Sequence, residues 1–324
     1  MDFHRFWRVL LIKGLFCLPF MALAEDQTIN VAITQIVEHP SLNAVRKGFI
    51  EFLNKSKFKG KIKFDYSNAQ GNMITNSHIA RKILGSKPHA ILALGTPAAQ
   101  AVINKNHTIP VLFSPITDPV EAKLVKNLLK PGGIATGTSD RSPVKKQLEL
   151  ILQIQSKVKK IAMIYNPSEA NSTSILKQFQ EACSLLKTKC VEAVVPNTAS
   201  VYSTAASLKG RGVDAIYVPT DNTVVSAIEA VIKAGNAAGI PVFSAESESV
   251  KKGTIAALAV NYFKLGQLTA AMLAEILDQK TSPAQMPVRF QKEFELHINQ
   301  SNAKKMGVIF PGDLLKKATV HPSF

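Results

Sequence analysis

The sequence predicts an α/β protein of two lobes, each a parallel sheet covered by helices, with the lobes joined by a hinge. Three observations predict it. Short apolar runs alternate with longer stretches of helical periodicity along most of the chain, the pattern left by parallel strands with right-handed helical crossovers. The alternation runs once and then repeats, and 324 residues exceed what one hydrophobic core usually organises. Polar clusters follow the strands in both halves, where an open parallel sheet places its ligand crevice.

Strands of the first half are expected at 29–33, 62–66, 90–94, 111–113 and 134–136, each a short apolar or alternating run. Helical patterns at 42–53, 75–84 and 97–104 separate the first four, and 145–154 follows the fifth. The second half repeats the scheme, with strands at 161–165, 191–195, 215–218, 241–243 and 256–260 and helices at 174–186, 200–208, 223–238 and 265–277. Lys130-Pro131-Gly132-Gly133 reads as a loop inside the first lobe. The chain is expected to pass to the second lobe near Ser139, return near Asn261 and pass again near Val288. The first lobe is then 25–138 plus 261–288 and the second 139–260 plus 289–324.

The first 24 residues read as an export leader. Arg5, Arg8 and Lys13 precede or enter the apolar stretch 14–20, and Ala22-Leu23-Ala24 comes before Glu25, the charged, apolar, small-residue order of a secretory signal. Lys13 and Pro19 break the run short of the ~20 apolar residues a membrane span needs. Cleavage after Ala24 and a periplasmic location are expected. A lipid anchor at Cys17 is the lesser alternative, because Leu15-Phe16 precede it rather than a small residue. The leader carries Trp7, the single tryptophan of the chain. Cys183 and Cys190 remain; in an oxidising compartment they can close a disulfide from a helix end to the next strand, or they stay two buried thiols. No His sits at ligand spacing with the pair, so neither a metal nor any other cofactor is expected.

A composition of 46% hydrophobic and 19% charged residues, with mean hydropathy +0.08, excludes a disordered chain. The net charge of +16 admits an anionic partner. The basic residues fall in ones, twos and small clusters, such as Lys123, Lys126 and Lys130, and no stretch beyond the leader interleaves aromatics with Arg as a base-stacking surface would. A solvated basic surface and no nucleic-acid partner are expected. Gly-x-Gly-x-x-Gly after a strand, the Gly-x-x-x-x-Gly-Lys loop and Gly-x-Ser-x-Gly are all missing, against nucleotide binding by those loops and against a nucleophile-elbow hydrolase. Seven His are scattered, and His39, close behind a strand, reads as a surface residue.

The polar clusters carry the functional reading. They are Thr34-Gln35, residues 67–71, Gly95-Thr96-Pro97-Ala98, Thr117-Asp118-Pro119, Thr138-Ser139-Asp140, residues 166–172, Thr220-Asp221-Asn222 and Glu246. Any one of them is explained by helix capping, worth roughly 1 kcal/mol; their recurrence at one edge of both halves points to a shared cleft. Hydroxyls, amides, carboxylates and helix N-termini suit an amino acid. Its carboxylate would sit on Thr96 and the backbone N–H groups of Ala98 and Ala99, and its ammonium on Asp118, Asp140, Glu169, Asp221 or Glu246. Such groups bind; no catalytic residue stands out.

A family resemblance rests on residues 33–40 (Ile-Thr-Gln-Ile-Val-Glu-His-Pro), Asn68-Ala69-Gln70-Gly71, Thr96-Pro97-Ala98-Ala99-Gln100, Phe113 with Thr117-Asp118-Pro119, and Thr136-Gly137-Thr138-Ser139-Asp140. It continues through residues 165–172 and Pro219-Thr220-Asp221-Asn222-Thr223, in order along nearly the whole chain. With these motifs the sequence resembles the ABC transporter substrate-binding proteins, in the tryptophan/tyrosine-binding-like subfamily. The resemblance implies a type I periplasmic binding protein, a monomer of two Rossmann-like lobes. Such a protein closes on a small ligand, here an aromatic or other hydrophobic amino acid, and delivers it to a membrane permease with its ATPase subunit. It also implies ligand contacts at Gln70, Thr96, Ala98, Thr117, Asp118, Asn166, Glu169, Asn171, Ser172, Asp221 and Asn222. Asn72, where an acidic residue often follows Asn-Ala-Gln-Gly, and Pro115 depart from the pattern and leave the ligand open. Tyr165 and Phe113 are candidates to stack on a ligand ring, and equally core residues. Two rival readings are an exported small-molecule enzyme using these carboxylates and a sensor module that presents its ligand to a receptor.

Overall fold

The computed structural model describes residues 28–321; the expected leader, with Cys17 and Ala24, lies outside them. The first sheet is laid down by β1 (Ile29–Gln35), β2 (Ile62–Asn68), β3 (Ala90–Leu94), β4 (Val111–Ser114) and β5 (Ala135–Ser139), with α1 (Pro40–Asn54), α2 (Met73–Ser86) and α3 (Thr96–Ile103) between its first four strands. The second follows as α4 (Val144–Ile154), β6 (Lys160–Tyr165), α5 (Ala170–Leu186), β7 (Lys189–Val194), α6 (Val201–Ser207), β8 (Ala215–Val218), α7 (Asn222–Ser226), α8 (Ile228–Ala238), β9 (Val242–Ser244), α9 (Glu248–Lys252) and β10 (Ala256–Ala259). The chain then returns through α10 (Tyr262–Gln279) and β11 (Arg289–Phe290). It ends in the second lobe with β12 (Glu295–Asn299), α11 (Gln300–Lys305), α12 (Gly312–Lys317) and β13 (Thr319–His321).

The sheet orders are β11-β5-β4-β3-β1-β2 and β13-β12-β10-β9-β8-β6-β7. All pairings are parallel except β10 with β12, so every strand up to β10 points its carboxyl end the same way within its lobe. Central strands such as β3, β4 and β8 are buried along their whole length, as expected for sheets covered on both faces.

Local chemistry sets the helix boundaries. Pro40 opens α1, and the His39 ring accepts from Leu42 N–H at 3.4 Å. The Asn261 side chain caps α10 by accepting from Lys264 N–H at 3.1 Å. These two helices cross closely, because Gly48 and Gly266 leave room for backbone. A Cβ on Gly48 would stand 2.1 Å from Phe263 O, and one on Gly266 2.0 Å from Val45 O.

Every expected strand is present, with differences at the margins. The helix expected over 223–238 breaks at Ala227 (φ −114°, ψ 26°) into α7 and α8, and α9, β11, β12, α11, α12 and β13 were not foreseen. Arg289 pairs with Thr138 and Phe290 with Ser139, so the chain stays in the first sheet two residues beyond the passage expected at Val288. The crossings are tied together: Gln291 accepts from Asn261 N–H at 3.0 Å and donates to Asn261 O at 2.5 Å. Cys183 and Cys190 form a disulfide, Cα to Cα 5.9 Å, joining α5 to β7.

Candidate functional site

Parallel pairing brings Gln35, Leu94 and Ser114 to one edge of the first sheet, and Tyr165, Val218 and Ser244 to one edge of the second. The two edges meet. Ser41 Oγ at the start of α1 donates to Glu246 Oε2 of the second lobe at 2.5 Å, and His39 Nε2 lies 3.3 Å from Asn222 Oδ1. Thr117 Oγ1 is 3.2 Å from Thr220 Oγ1. At the rim, Lys177 pairs with Glu121.

Two chambers lie between the lobes. The inner one is lined by His39, Ser41, Gly95, Thr96, Thr117, Asp140, Asn171, Thr220, Asn222, Glu246 and Tyr262, and its free volume is about 20 Å³, room for roughly one or two waters. The outer one, about 130 Å³, is lined by Gln70, Met73, Pro97, Asn166, Glu169, Pro196, Asn197 and Asn222 among others. Asn222 borders both.

Of the residues expected to bind, Thr96, Thr117, Asp140, Asn171, Asn222 and Glu246 line the inner chamber, and Gln70, Asn166 and Glu169 the outer. Ala98, Asp118, Ser172 and Asp221 line neither, each for a visible reason. Ala98 is fully buried in the first-lobe core, and the Ala99 N–H is already taken by Gly95 O at 3.1 Å. Asp118 Oδ1 closes a turn by accepting from the N–H groups of Val120 (3.0 Å) and Glu121 (2.9 Å). Asp221 Oδ1 caps α7 through Val224 N–H at 2.8 Å, and its Oδ2 accepts from Asn166 N–H and Ser172 Oγ, both at 2.6 Å. Burial, and then the charge of Glu169, push the Asp221 carboxyl pKa up. Glu169 is itself engaged, accepting from the N–H groups of Asn222 (3.1 Å) and Thr223 (3.0 Å). This pair braces the strand ends inside the second lobe.

Phe113 and Tyr165 are core side chains, the latter with its hydroxyl on Glu192 at 2.8 Å, so neither stacks in the chambers. His39 is not a surface residue. It is 8% exposed, and burial lowers its pKa to about 4, against a smaller opposing effect of Asn222. Ser41 and Tyr262 were missed as well. Each follows a helix-capping signal, His39-Pro40 and Asn261, that also marks a strand's carboxyl end.

The inner chamber is lined by two carboxylates and a helix start. Burial pushes Asp140 up to about 6 and raises Glu246, and neither is ion-paired among the described residues. Asp140 Oδ2 accepts from Tyr262 OH at 3.1 Å; Glu246 accepts from the N–H groups of Glu248 (2.8 Å) and Ser249 (2.9 Å). Asn171 Nδ2 donates to Thr220 O at 2.9 Å, leaving its buried Oδ1 an acceptor without a protein partner. The N-terminus of α3, which has no side-chain cap, borders the chamber through Gly95 and Thr96, and its dipole favours an anion. Gly95 precedes it at φ 88°; a Cβ there would lie 2.8 Å from Ile36 Cγ2 and 3.3 Å from Asn222 Oδ1, so the missing side chain lets the second lobe approach. Acceptors and carboxylates for a cation, in one chamber with a helix start for an anion, match a zwitterion.

Two parallel-sheet lobes shutting a polar chamber between their strand ends define a solute-binding protein of the type I periplasmic class. The chain belongs to the ABC transporter substrate binding protein family, whose model matches residues 30–321. It is 39% identical over 279 residues, 86% of this chain and 80% of the relative, to a tyrosine-binding protein of Clostridioides difficile (strain R20291). Among solved structures, an ABC domain in complex with L-Trp from Streptococcus pneumonia is 30% identical with TM-score 0.88, over 91% of this chain and all of that one. The ligand-free, open structure of a substrate-binding protein with adhesive properties from Clostridium difficile is 38% identical, yet its TM-score is 0.68, over 92% of this chain and all of that one. Of these two structures, the one closer in sequence is the less similar in overall shape.

Proposed function

We propose that this protein is the exported solute-binding component of an ABC uptake transporter, and that it takes up an aromatic amino acid, tyrosine or tryptophan, between its lobes. It works as a monomer and hands the ligand to a membrane permease driven by an ATPase subunit. The observation that carries the ligand class is the inner chamber: two buried carboxylates without a cationic partner among the described residues, Asp140 and Glu246, and the uncapped start of α3 in the same lining. An α-ammonium offsets the burial of those carboxylates, and the α-carboxylate meets the helix N-terminus. The inner chamber is too small for an aromatic ring, so the ring is accommodated by partial opening toward the outer chamber, beside Met73, Pro97 and Pro196. Relatives that carry tyrosine and L-Trp support the aromatic side chain. The Cys183–Cys190 disulfide suits an oxidising compartment, in keeping with export and cleavage after Ala24.

Without residues 1–24 the protein has no tryptophan, so indole emission in a titration belongs to the ligand alone. Added L-tryptophan is expected to change its emission saturably with a Kd of about 1 μM, close to −8 kcal/mol. Tyrosine is read by thermal shift, where ligand at 100 times its Kd adds roughly 2.7 kcal/mol. If neither amino acid changes either signal, the aromatic ligand is wrong.

A further inference from the structure

The first turn of α4 sets a polar side chain into an apolar layer. Val144, Leu148 and Ile151 of this helix are buried in the core of the second lobe, and Gln147 is buried beside them, 3% exposed. A buried amide is costly unless its two donors and its acceptor are matched. Here all three are. Gln147 Oε1 accepts from Tyr217 OH of β8 at 2.7 Å. Its Nε2 donates to Leu258 O of β10 at 2.8 Å and, at the longer distance of 3.4 Å, to Ala245 O just beyond β9.

The place of those two carbonyls gives the bonds their meaning. β9 and β10 pair in parallel at Ser244 and Ala257, so Ala245 and Leu258 are the next residues in register. The ladder ends there, and the chain beyond β9 turns to Glu246 in the lining of the inner chamber. One amide therefore spans two strands as they part and fastens both to Tyr217 on a third. On the other side of β9, Ala245 N–H bonds to Val218 O at 2.8 Å, and Ser244 Oγ donates to Glu246 O at 2.9 Å. The Glu246 carboxylate, which accepts from the N–H groups of Glu248 and Ser249 and from Ser41 of the first lobe, thus hangs one residue from a carbonyl that Gln147 anchors.

We propose that Gln147 is a positioning residue of the binding site, its amide bridging β9 and β10 where they part and so holding Glu246 at the chamber. Gln147 lines neither chamber and acts only through Glu246. The inference rests on the proposed function, in which Glu246 meets the ammonium of the ligand. An apolar side chain of similar length would fill the same core space, but it would leave the two strand ends unbridged.

The test is a double-mutant cycle read by calorimetric titration with L-tryptophan, using the unaltered protein, Gln147→Met, Glu246→Gln and the two changes combined. Gln147→Met should weaken binding about tenfold on its own. In the Glu246→Gln background the same change should alter affinity by no more than about twofold, because the group it positions is already gone. Tyr217→Phe serves as the control for damage to the core. It removes one hydrogen bond of the same buried network but leaves both strand carbonyls bridged, so it should bind within about twofold of the unaltered protein. Unfolding midpoints establish that each variant is folded. Should Gln147→Met not fold, Gln147→Asn takes its place, since it keeps an amide one methylene too short to bridge both strands. Unchanged affinity in the Gln147 variant, a loss that repeats in full in the Glu246→Gln background, or an equal loss in Tyr217→Phe would overturn the positioning role while Glu246→Gln itself still weakens binding. Tryptophan bound as tightly by Glu246→Gln as by the unaltered protein would instead remove the proposed ammonium partner, and this inference with it.

Discussion

On the proposed function, Asp140 and Glu246 decide how binding responds to pH. Burial raises Asp140 from 3.8 to about 6, so the closed fold favours its neutral form. Its stabilising contribution is complete below about pH 4 and is lost as the pH rises through 6. An ammonium ligand needs the ionised form, so affinity runs the other way. The Kd for an aromatic amino acid should be about tenfold weaker at pH 5 than at pH 7.5, and Asp140→Asn should flatten that dependence; calorimetry at the two pH values reads it. Glu246→Gln should lower affinity by about 10- to 100-fold while leaving the unfolding midpoint unchanged or higher, since it removes a buried charge without a cationic partner. Asp221→Ala should act differently, destabilising by about 2 kcal/mol or more by uncapping α7 and stranding Asn166 N–H and Ser172 Oγ. Denaturant unfolding measures it. The contrast shows the limit of reading residues from sequence. Asp140, Asp118 and Asp221 all follow strands, and a carboxylate that caps a turn and one that faces a cleft leave the same trace. His39 was misread because burial beneath the opposite lobe depends on closure, which no local pattern records.

At the scale of elements, two features tie neighbouring elements together within the lobes. The first is the α1–α10 crossing at Gly48 and Gly266. Either glycine changed to Ala drives a Cβ into backbone that cannot rotate away, so the helices must separate, at a cost of about 2 kcal/mol or more; Gly266→Ala should lower the denaturation midpoint accordingly. The second is the Cys183–Cys190 disulfide, which closes a short loop. Replacing both by Ser should cost about 2 kcal/mol and leave ligand affinity unchanged, a split that unfolding and calorimetry resolve together. The alternating strand and helix pattern was legible through β10 because those strands are short apolar or alternating runs and most of the helices between them span two or more turns. The break between α7 and α8 was not, since Val225-Ser226-Ala227-Ile228 contains neither Gly nor Pro. Nor was β12: its two leading residues are only half-buried, and its antiparallel pairing with β10 is a tertiary fact. The disulfide stayed open in the sequence because only the Cα separation decides it.

For the whole molecule, closure joins surfaces held by weak direct contacts. Ser41–Glu246, His39–Asn222 and Thr117–Thr220 are single hydrogen bonds, each worth about 1 kcal/mol net, and the exposed Lys177–Glu121 pair contributes less. A ligand that contacts both lobes therefore dominates the balance through its differential affinity for the closed form. The segments that cross between the sheets, where Gln291 grips Asn261 and Tyr262 reaches Asp140, lie beside the carboxylates of the chamber, so on the proposed function ligand charge and lobe movement meet at one place. The most direct test is a calorimetric titration with L-tyrosine and L-tryptophan beside their amines, which lack the carboxylate. The amino acids should bind with a Kd near 1 μM and the amines at least ~100-fold more weakly, two hydrogen bonds to a charged group being lost. Amines that bind as tightly as the amino acids, or amino acids that give no heat, would contradict a chamber built to hold both ends of a zwitterion.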